Sequence, residues 1–344
     1  MAFKKIQKIP DAEELIKQVP FPADLQNIKK QRDQELKDII EGKSKKFLLI
    51  IGPCSADNED TVCDYVTRLA EVGAKLKDKL FIVPRVYTNK PRTTGEGYKG
   101  MLHQPNPTEA PDMASGILAI RRMHVRVISE TGLTAADEML YPDNLAYCQD
   151  LLSYIAVGAR SVENQHHRLT CSGVEIPVGM KNPTCGDFSI MYNAIQAAQA
   201  SHSFIYQGYE VSTQGNPLAH AILRGSVNRH GEDVPNYHYE HLLRAVNLYR
   251  ERGLTHPMIV VDANHNNSGK KFDEQPRIVK EILYSRRHNT DNIAEVVRGL
   301  MIESYIEEGS QEVGGAVYGK SITDPCLGWK DTEKLLYEIA DILP

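Results

Sequence analysis

Short apolar runs rich in β-branched residues recur along the chain, each closed by a polar or glycine-containing turn, and each predicts a buried strand. We read eight: Phe47–Ile51, followed by Gly52-Pro53-Cys54-Ser55; Phe81–Tyr87, interrupted by Pro84; Leu133–Met139; a weaker run at Ala159–Val162; Ile176–Met180; Ser203–Tyr206; Met258–Asp262; and Gly299–Ile302. Stretches with helical spacing lie between them. In Asp60–Leu76 the residues Val62, Tyr65, Val66, Leu69 and Val72 recur at three and four positions and make one apolar face. Ala114–Thr131, Asp143–Val157, Ser189–Ala200, Tyr239–Arg252 and Gln275–Arg287 read the same way. So does Asp331–Leu343, with Asp331 as a cap and Leu335, Leu336, Ile339 and Ile342 facing inward.

Strands alternating with helices predict an α/β fold, and eight such units predict a (β/α)8 barrel of the TIM type. An open doubly wound sheet is the rival, weakened because no GxGxxG follows the first strand. Residues 1–45 precede the barrel as an N-terminal extension, with a polar amphipathic helix at Ala23–Glu41 that reads as a packing or oligomer arm. Residues 46–344 form the barrel, with a short hairpin insertion at about Gly208–Leu223, after the sixth strand.

A length of 344 residues suits a barrel that folds as one unit. Hydrophobic residues make up 41% and charged residues 25%, which places the chain among globular proteins. The net charge of -5 argues against general nucleic-acid binding. Met1–Pro10 lacks a long apolar segment, and no window approaches the roughly 18 apolar residues that span a bilayer. The six cysteines (Cys54, Cys63, Cys148, Cys171, Cys185 and Cys326) form no CxxC pair. They read as reduced thiols, and the chain as cytoplasmic.

A barrel carries its chemistry just past the C-terminal ends of its strands. Those positions hold Cys54, Arg85 and Lys90, Glu138, Arg160, Lys181, Arg224, Asp262 and His265, Glu303 and, beyond it, Asp324. Arg85, Lys90, Arg160, Lys181 and Arg224 form a cationic group. Any one of them alone is more often solvated or paired. Together at one mouth they imply an anionic ligand, because guanidinium forks suit phosphate and carboxylate oxygens. Cys54, His265, Glu303 and Asp324 form a second group, whose thiolate, imidazole and carboxylates would suit Mn²⁺, Fe²⁺, Co²⁺ or Zn²⁺. A lone cysteine after a strand is more often a buried structural thiol, and a lone histidine in Asn264-His265-Asn266 a turn residue. Strands one, seven and eight are neighbours in a barrel, which would bring the four together. Thr93–Gly100 lacks Walker spacing and reads as a flexible substrate loop. His166-His167 reads as a helix start.

These residues fall in motifs that resemble the class I synthases of 3-deoxy-D-arabino-heptulosonate 7-phosphate (DAHP). The motifs are Ile51-Gly52-Pro53-Cys54-Ser55, Lys90-Pro91-Arg92-Thr93-Thr94, Gly158-Ala159-Arg160, Pro177-Val178-Gly179-Met180-Lys181, Ile222-Leu223-Arg224-Gly225, Asp262-Ala263-Asn264-His265 and Gly319-Lys320-Ser321-Ile322-Thr323-Asp324. They cover residues 45–330 in family order. The resemblance implies condensation of phosphoenolpyruvate with D-erythrose 4-phosphate, the first step of the shikimate pathway. It also implies Cys54, His265, Glu303 and Asp324 as metal ligands. Arg160, Lys181 and Arg224 match the clamp on phosphoenolpyruvate, with Arg85, Glu138 and Ala159 beside it. Lys90 touches both substrates, and Pro91, Arg92 and Thr93 match the erythrose 4-phosphate loop. Lys90, Asp324, His265 and Cys54 would carry the chemistry. A homodimer or homotetramer is implied, with no nucleic-acid or membrane partner.

Two alternatives remain open. The related KDO8P synthases use another aldose phosphate but carry an asparagine-bearing loop where this chain has Arg92-Thr93. A non-catalytic barrel that only binds a phosphorylated ligand would make both residue groups superfluous. The chain also departs from feedback-inhibited members, which hold an aromatic amino acid near the third-strand exit, the approach to the fifth strand and the hairpin. Its hairpin is several residues shorter, Glu175 replaces a small polar residue, and Leu145 replaces a proline. A carboxylate there would repel the effector's own carboxylate. Weak or absent inhibition by phenylalanine and tyrosine follows as an expectation, and with it a specialised pathway.

Overall fold

A computed structural model describes residues 2–288 and 292–344. Its centre is an eight-stranded parallel sheet. In chain order the strands are β1 (Phe47–Gly52), β2 (Leu80–Pro84), β3 (Ala136–Glu138), β4 (Tyr154–Val157), β5 (Val178–Lys181), β6 (Ala219–Leu223), β7 (Ile259–Asp262) and β8 (Val297–Glu303). Their spatial order is β2-β1-β8-β7-β6-β5-β4-β3. A parallel bridge between Arg85 and Ala136, with Val86 N–H donating to Ala136 C=O at 2.9 Å, joins the two ends. The sheet is therefore a (β/α)8 barrel, as the alternating pattern predicted.

Apart from Arg298 in β8, the barrel strands are buried along their length, because parallel strands pack on both faces. Leu48, Ile50, Phe81, Val83, Ala156, Ile222, Val260 and Met301 share one interior cluster. Leu36, Ile39 and Ile40 of the N-terminal helix Ala23–Ile40 belong to the same cluster, so this helix covers one end of the barrel. Outside the strands, the helix Glu59–Leu76 is capped by Asn58, which accepts from Thr61 N–H at 3.1 Å. Met113–Thr131 is capped by Asp112 and ends at Gly132, whose φ of 67° only glycine adopts without strain. No helix among the described residues is long and apolar enough to cross a membrane.

Two strands lie elsewhere than the sequence predicted. The fourth is Tyr154–Val157, inside the stretch Asp143–Val157 that read as a helix, and not Ala159–Val162. Pro142 opens only a 3-10 turn, Pro142–Tyr147, and the chain then straightens into the strand. The sixth is Ala219–Leu223, not Ser203–Tyr206. Ser203–Tyr206 pairs antiparallel with Tyr209–Ser212 in a partly exposed hairpin, which precedes the sixth strand instead of following it. Ala219–Leu223 has few β-branched residues, and its strand state comes from burial on both faces. At the C-terminus the helix is Trp329–Ile342, so Asp331 sits in its first turn, and the cap residue is Gly328. His166 and His167 do lie at a helix start, in Gln165–Cys171.

Candidate active site

The C-terminal ends of the strands surround a cavity of about 250 Å³. Its lining holds Cys54, Arg85, Lys90, Pro91, Arg92, Thr93, Glu138, Ala159, Arg160, Lys181, Arg224, His265 and Asp324. Of the strand-end residues singled out from the sequence, Asp262 and Glu303 are outside that lining. They are fully buried at the ends of β7 and β8.

Burying several charges together is costly unless each meets a partner, and the floor is built of such pairs. Arg85 Nη2 lies 2.8 Å from Glu303 Oε1, and its Nε donates to Pro53 C=O at 3.0 Å. Its guanidinium stacks 3.6 Å from the Tyr87 ring centroid. Lys181 Nζ stands 3.4 Å from Asp262 Oδ2, and His265 Nδ1 stands 2.8 Å from the same oxygen. Burial opposes the charge of Asp262, but His265 and Lys181 outweigh it and hold the carboxyl well below its usual range. Burial lowers the pKa of Lys181 and of Arg224, against the pull of Asp262 on both. Arg224 donates to Asn266, and its own N–H is accepted by Asn182 Oδ1 at 2.9 Å. Arg160 forms no ion pair among the described residues and is exposed at the mouth.

Lys90 stands at the centre. Its Nζ is 2.7 Å from Cys54 Sγ and 2.8 Å from Asp324 Oδ2. Burial disfavours its charge, yet Cys54, Asp324 and Glu303 more than offset this and raise its pKa. Burial and Glu303 push the Cys54 thiol up to about 11, against the opposing pull of Lys90.

The donors fall in two pairs, the first of them in contact with Lys90. Cys54 Sγ is 3.5 Å from Asp324 Oδ2, and His265 Nε2 is 3.5 Å from Glu303 Oε1. Among the described residues no three such side chains converge closely enough to hold an ion in this arrangement. The chemistry of the set nevertheless fits one. Thiol, imidazole and carboxylate together suit a borderline divalent ion. Glu303 Oε1 and His265 Nδ1 are buried, and their close contacts are the ion pairs with Arg85 and Asp262, 2.8 Å each. The other Glu303 oxygen is fixed by Asn264 Nδ2 at 2.7 Å.

Several contributors escaped the sequence reading. Asn264, Asn266 and Asn267 brace Glu303, Arg224 and the Asp262 carbonyl respectively. Lys270 Nζ reaches Asp324 Oδ1 at 3.2 Å, and Lys270, Glu96 and Asn89 also line the cavity. The run of asparagines around His265 was the available signal. His265 itself has a φ of 53°, in the left-handed region where asparagine and histidine are enriched. Leu145 is buried and lines neither of the two larger clefts elsewhere on the barrel.

Fold and site together define a barrel enzyme built for a small, multiply anionic substrate. The description DAHP synthetase I family matches residues 21–337, and the chain belongs to that family. It is 36% identical over 330 residues to the Tyr-sensitive phospho-2-dehydro-3-deoxyheptonate aldolase of Escherichia coli K12, covering 93% of this chain and 89% of that one. It is 36% identical to the Trp-sensitive E. coli K12 enzyme over 315 residues, 89% and 87% of the two chains. The phospho-2-dehydro-3-deoxyheptonate aldolase of Haemophilus influenzae is 35% identical over 98% of this chain and 92% of its own. A solved structure of the Francisella tularensis SCHU S4 enzyme of that name superposes with a TM-score of 0.92 at 28% identity, covering 99% of this chain and 98% of that one.

Proposed function

We propose that the chain condenses phosphoenolpyruvate with D-erythrose 4-phosphate to give DAHP and phosphate, opening the shikimate pathway. The observation that carries this reading is one cavity of about 250 Å³ lined both by Arg160, Lys181 and Arg224 and by Lys90-Pro91-Arg92-Thr93. The first three hold the phosphate and carboxylate of phosphoenolpyruvate, with Arg85, Glu138 and Ala159 beside them. Pro91, Arg92 and Thr93 receive the sugar phosphate. Fixing both substrates removes most of the entropy cost of their encounter.

Carbon 3 of phosphoenolpyruvate then attacks the aldehyde carbon, and the carbonyl pair moves onto oxygen. Lys90 Nζ supplies the proton to that oxygen. Water adds at carbon 2 and returns one proton to Lys90; the C–O bond to phosphate then breaks, its electrons leave with phosphate, and phosphate takes the hydroxyl proton as carbon 2 becomes the ketone. Cys54, His265, Glu303 and Asp324 are the residues that would hold a divalent ion, which supplies Lewis-acid polarisation of the aldehyde when bound. Phosphoenolpyruvate consumption with erythrose 4-phosphate should vanish on EDTA treatment and return with Mn²⁺. Activity indifferent to EDTA contradicts the metal role of these four residues.

Inhibition by phenylalanine and tyrosine is weak or absent in this reading, whereas the E. coli relatives are named for sensitivity to tyrosine or tryptophan. Glu175 is exposed and lines both larger clefts, of about 940 and 650 Å³, beside the hairpin residues Phe204 and Tyr206 in the second. Its carboxylate would oppose that of an amino-acid effector. Full inhibition by micromolar phenylalanine contradicts this. Residues 1–45 serve as an arm of a dimer or tetramer, supported by Phe3 and Ile6, which are 92% and 91% exposed. Sedimentation velocity of the full chain and of a variant lacking residues 2–8 tests it.

A further inference from the structure

We infer that Asp137 is a positioning residue for the substrate loop: it anchors Thr88, at the root of the segment that presents Lys90 and Arg92. The inference rests on the reading of those two residues as substrate contacts.

The strand β3 alternates. Ala136 belongs to the barrel interior and Glu138 lines the cavity, so Asp137 points the other way, into the layer under the helix Met113–Thr131. That layer is apolar, with Ile120, Met123 and Val127 fully or almost fully buried. A carboxylate 4% exposed in such a layer is destabilising unless it is hydrogen-bonded. Two of its three hydrogen bonds go to one residue, Thr88. Oδ1 accepts from Thr88 N–H at 2.8 Å and from Glu138 N–H at 2.7 Å, and Oδ2 accepts from the Thr88 hydroxyl at 2.5 Å. His124 Nε2 lies 3.7 Å from Oδ2 and is itself buried without a hydrogen-bond partner among the described residues.

Thr88 is also where the loop closes. Leu102 N–H donates to Thr88 C=O at 3.2 Å, and Lys90 N–H to Lys99 C=O at 3.0 Å. Gly100, with a φ of 101°, presses on the same carbonyl. A Cβ there would stand 2.3 Å from Thr88 O. Both limbs of the loop 88–102 therefore meet at Thr88, and Thr88 is fastened to the barrel by the Asp137 carboxylate. Charge-assisted bonds are short and strong, which suits a fixed pivot. Past the pivot, the loop is held within itself by Arg92 Nε donating to Tyr98 C=O at 2.9 Å. Releasing Thr88 moves Lys90 and Arg92 together, and leaves Arg160, Lys181 and Arg224 on their own strand ends.

The test compares Asp137→Ala, Asp137→Asn and Thr88→Val in the full-length Mn²⁺-loaded protein. Three quantities are read: kcat/KM for erythrose 4-phosphate, phosphoenolpyruvate affinity by calorimetry, and the rate of tryptic cleavage at Arg92–Thr93. Asp137→Ala should lower kcat/KM for erythrose 4-phosphate by about tenfold or more. It should weaken phosphoenolpyruvate affinity by less than that and speed the cleavage. Asp137→Asn, which keeps an acceptor for both N–H groups, should restore most of the loss. Thr88→Val should give a smaller loss in the same sense, and it decides the matter if Asp137→Ala does not fold. Folded variants with unaltered kinetics and unaltered cleavage overturn the inference, as does equal weakening of both substrates. Should the unsubstituted protein fail to use erythrose 4-phosphate, the reaction assigned above is wrong, and cleavage alone still decides whether Asp137 holds the loop.

Discussion

Arg85 and Glu303 form an ion pair at the floor of the cavity, 2.8 Å from Nη2 to Oε1, with side chains 2% and 0% exposed. The two residues come from positions next to β2 and in β8, the strands that flank β1. Removing one partner of such a pair leaves a buried charge uncompensated. Arg85→Met should therefore cost about 3 kcal/mol of stability. Urea unfolding with an unchanged slope and a lower midpoint would show it. An unshifted midpoint would mean that water reaches Glu303.

Lys90 bridges Cys54 and Asp324, and no other cation that lines the cavity contacts both. Lys90→Met should lower kcat by about 10²–10⁴-fold. Phosphoenolpyruvate affinity should fall much less than kcat, because the clamp stands on other strands. Loss of that affinity with kcat retained would assign Lys90 to binding alone.

Gly158 sets the place of Glu138. A Cβ at Gly158 would stand 2.3 Å from Glu138 Oε1, so any side chain there displaces the carboxylate that lines the mouth. Gly158→Ala should fold normally and lose about tenfold in kcat/KM for phosphoenolpyruvate. Wild-type kinetics would show that Glu138 plays no part in substrate binding.

His220 lies inside the barrel, between the Tyr154 hydroxyl and Leu218 C=O, both 2.8 Å from its ring nitrogens. Burial lowers its pKa to about 4, against the carbonyl's opposing pull. An unfolded histidine titrates near 6.5, so the unfolded chain binds the extra proton between these values. Stability contributed by the neutral ring is then complete above pH ~6.5 and falls as pH drops towards ~4, by roughly 3 kcal/mol. The pH dependence of the urea midpoint should flatten in that window for His220→Gln. An identical slope in the variant assigns the acid sensitivity to other groups.

The barrel was legible because β1, β2, β5, β7 and β8 are largely apolar runs with recognisable turns, and β3 lies within the stretch Leu133–Met139. β4 and β6 were not, since Tyr154–Val157 extends a helix-like apolar period and Ala219–Leu223 is poor in β-branched residues. Their placement depends on neighbours supplied by distant strands, which local pattern cannot convey. Most cavity residues were legible because they stand at or just past the ends of their strands, in an order the barrel folds into one rim, whereas Lys90–Thr93 and Asp324 lie further along the loops. Their partners were less so. Asp262 and Glu303 neutralise Lys181 and Arg85 across strand boundaries, and the five cations are therefore not all free for a ligand. Asp137 went unnoticed beside Glu138, because only the register of β3 reveals that one faces the cavity and the other the helix layer.

The ratio of kcat/KM for erythrose 4-phosphate to that for arabinose 5-phosphate, measured with phosphoenolpyruvate and Mn²⁺ by product formation, tests the assigned reaction most directly. A large ratio in favour of erythrose 4-phosphate, with DAHP as the product, is predicted. Preference for arabinose 5-phosphate would contradict the reading of Lys90-Pro91-Arg92-Thr93 as an erythrose 4-phosphate loop.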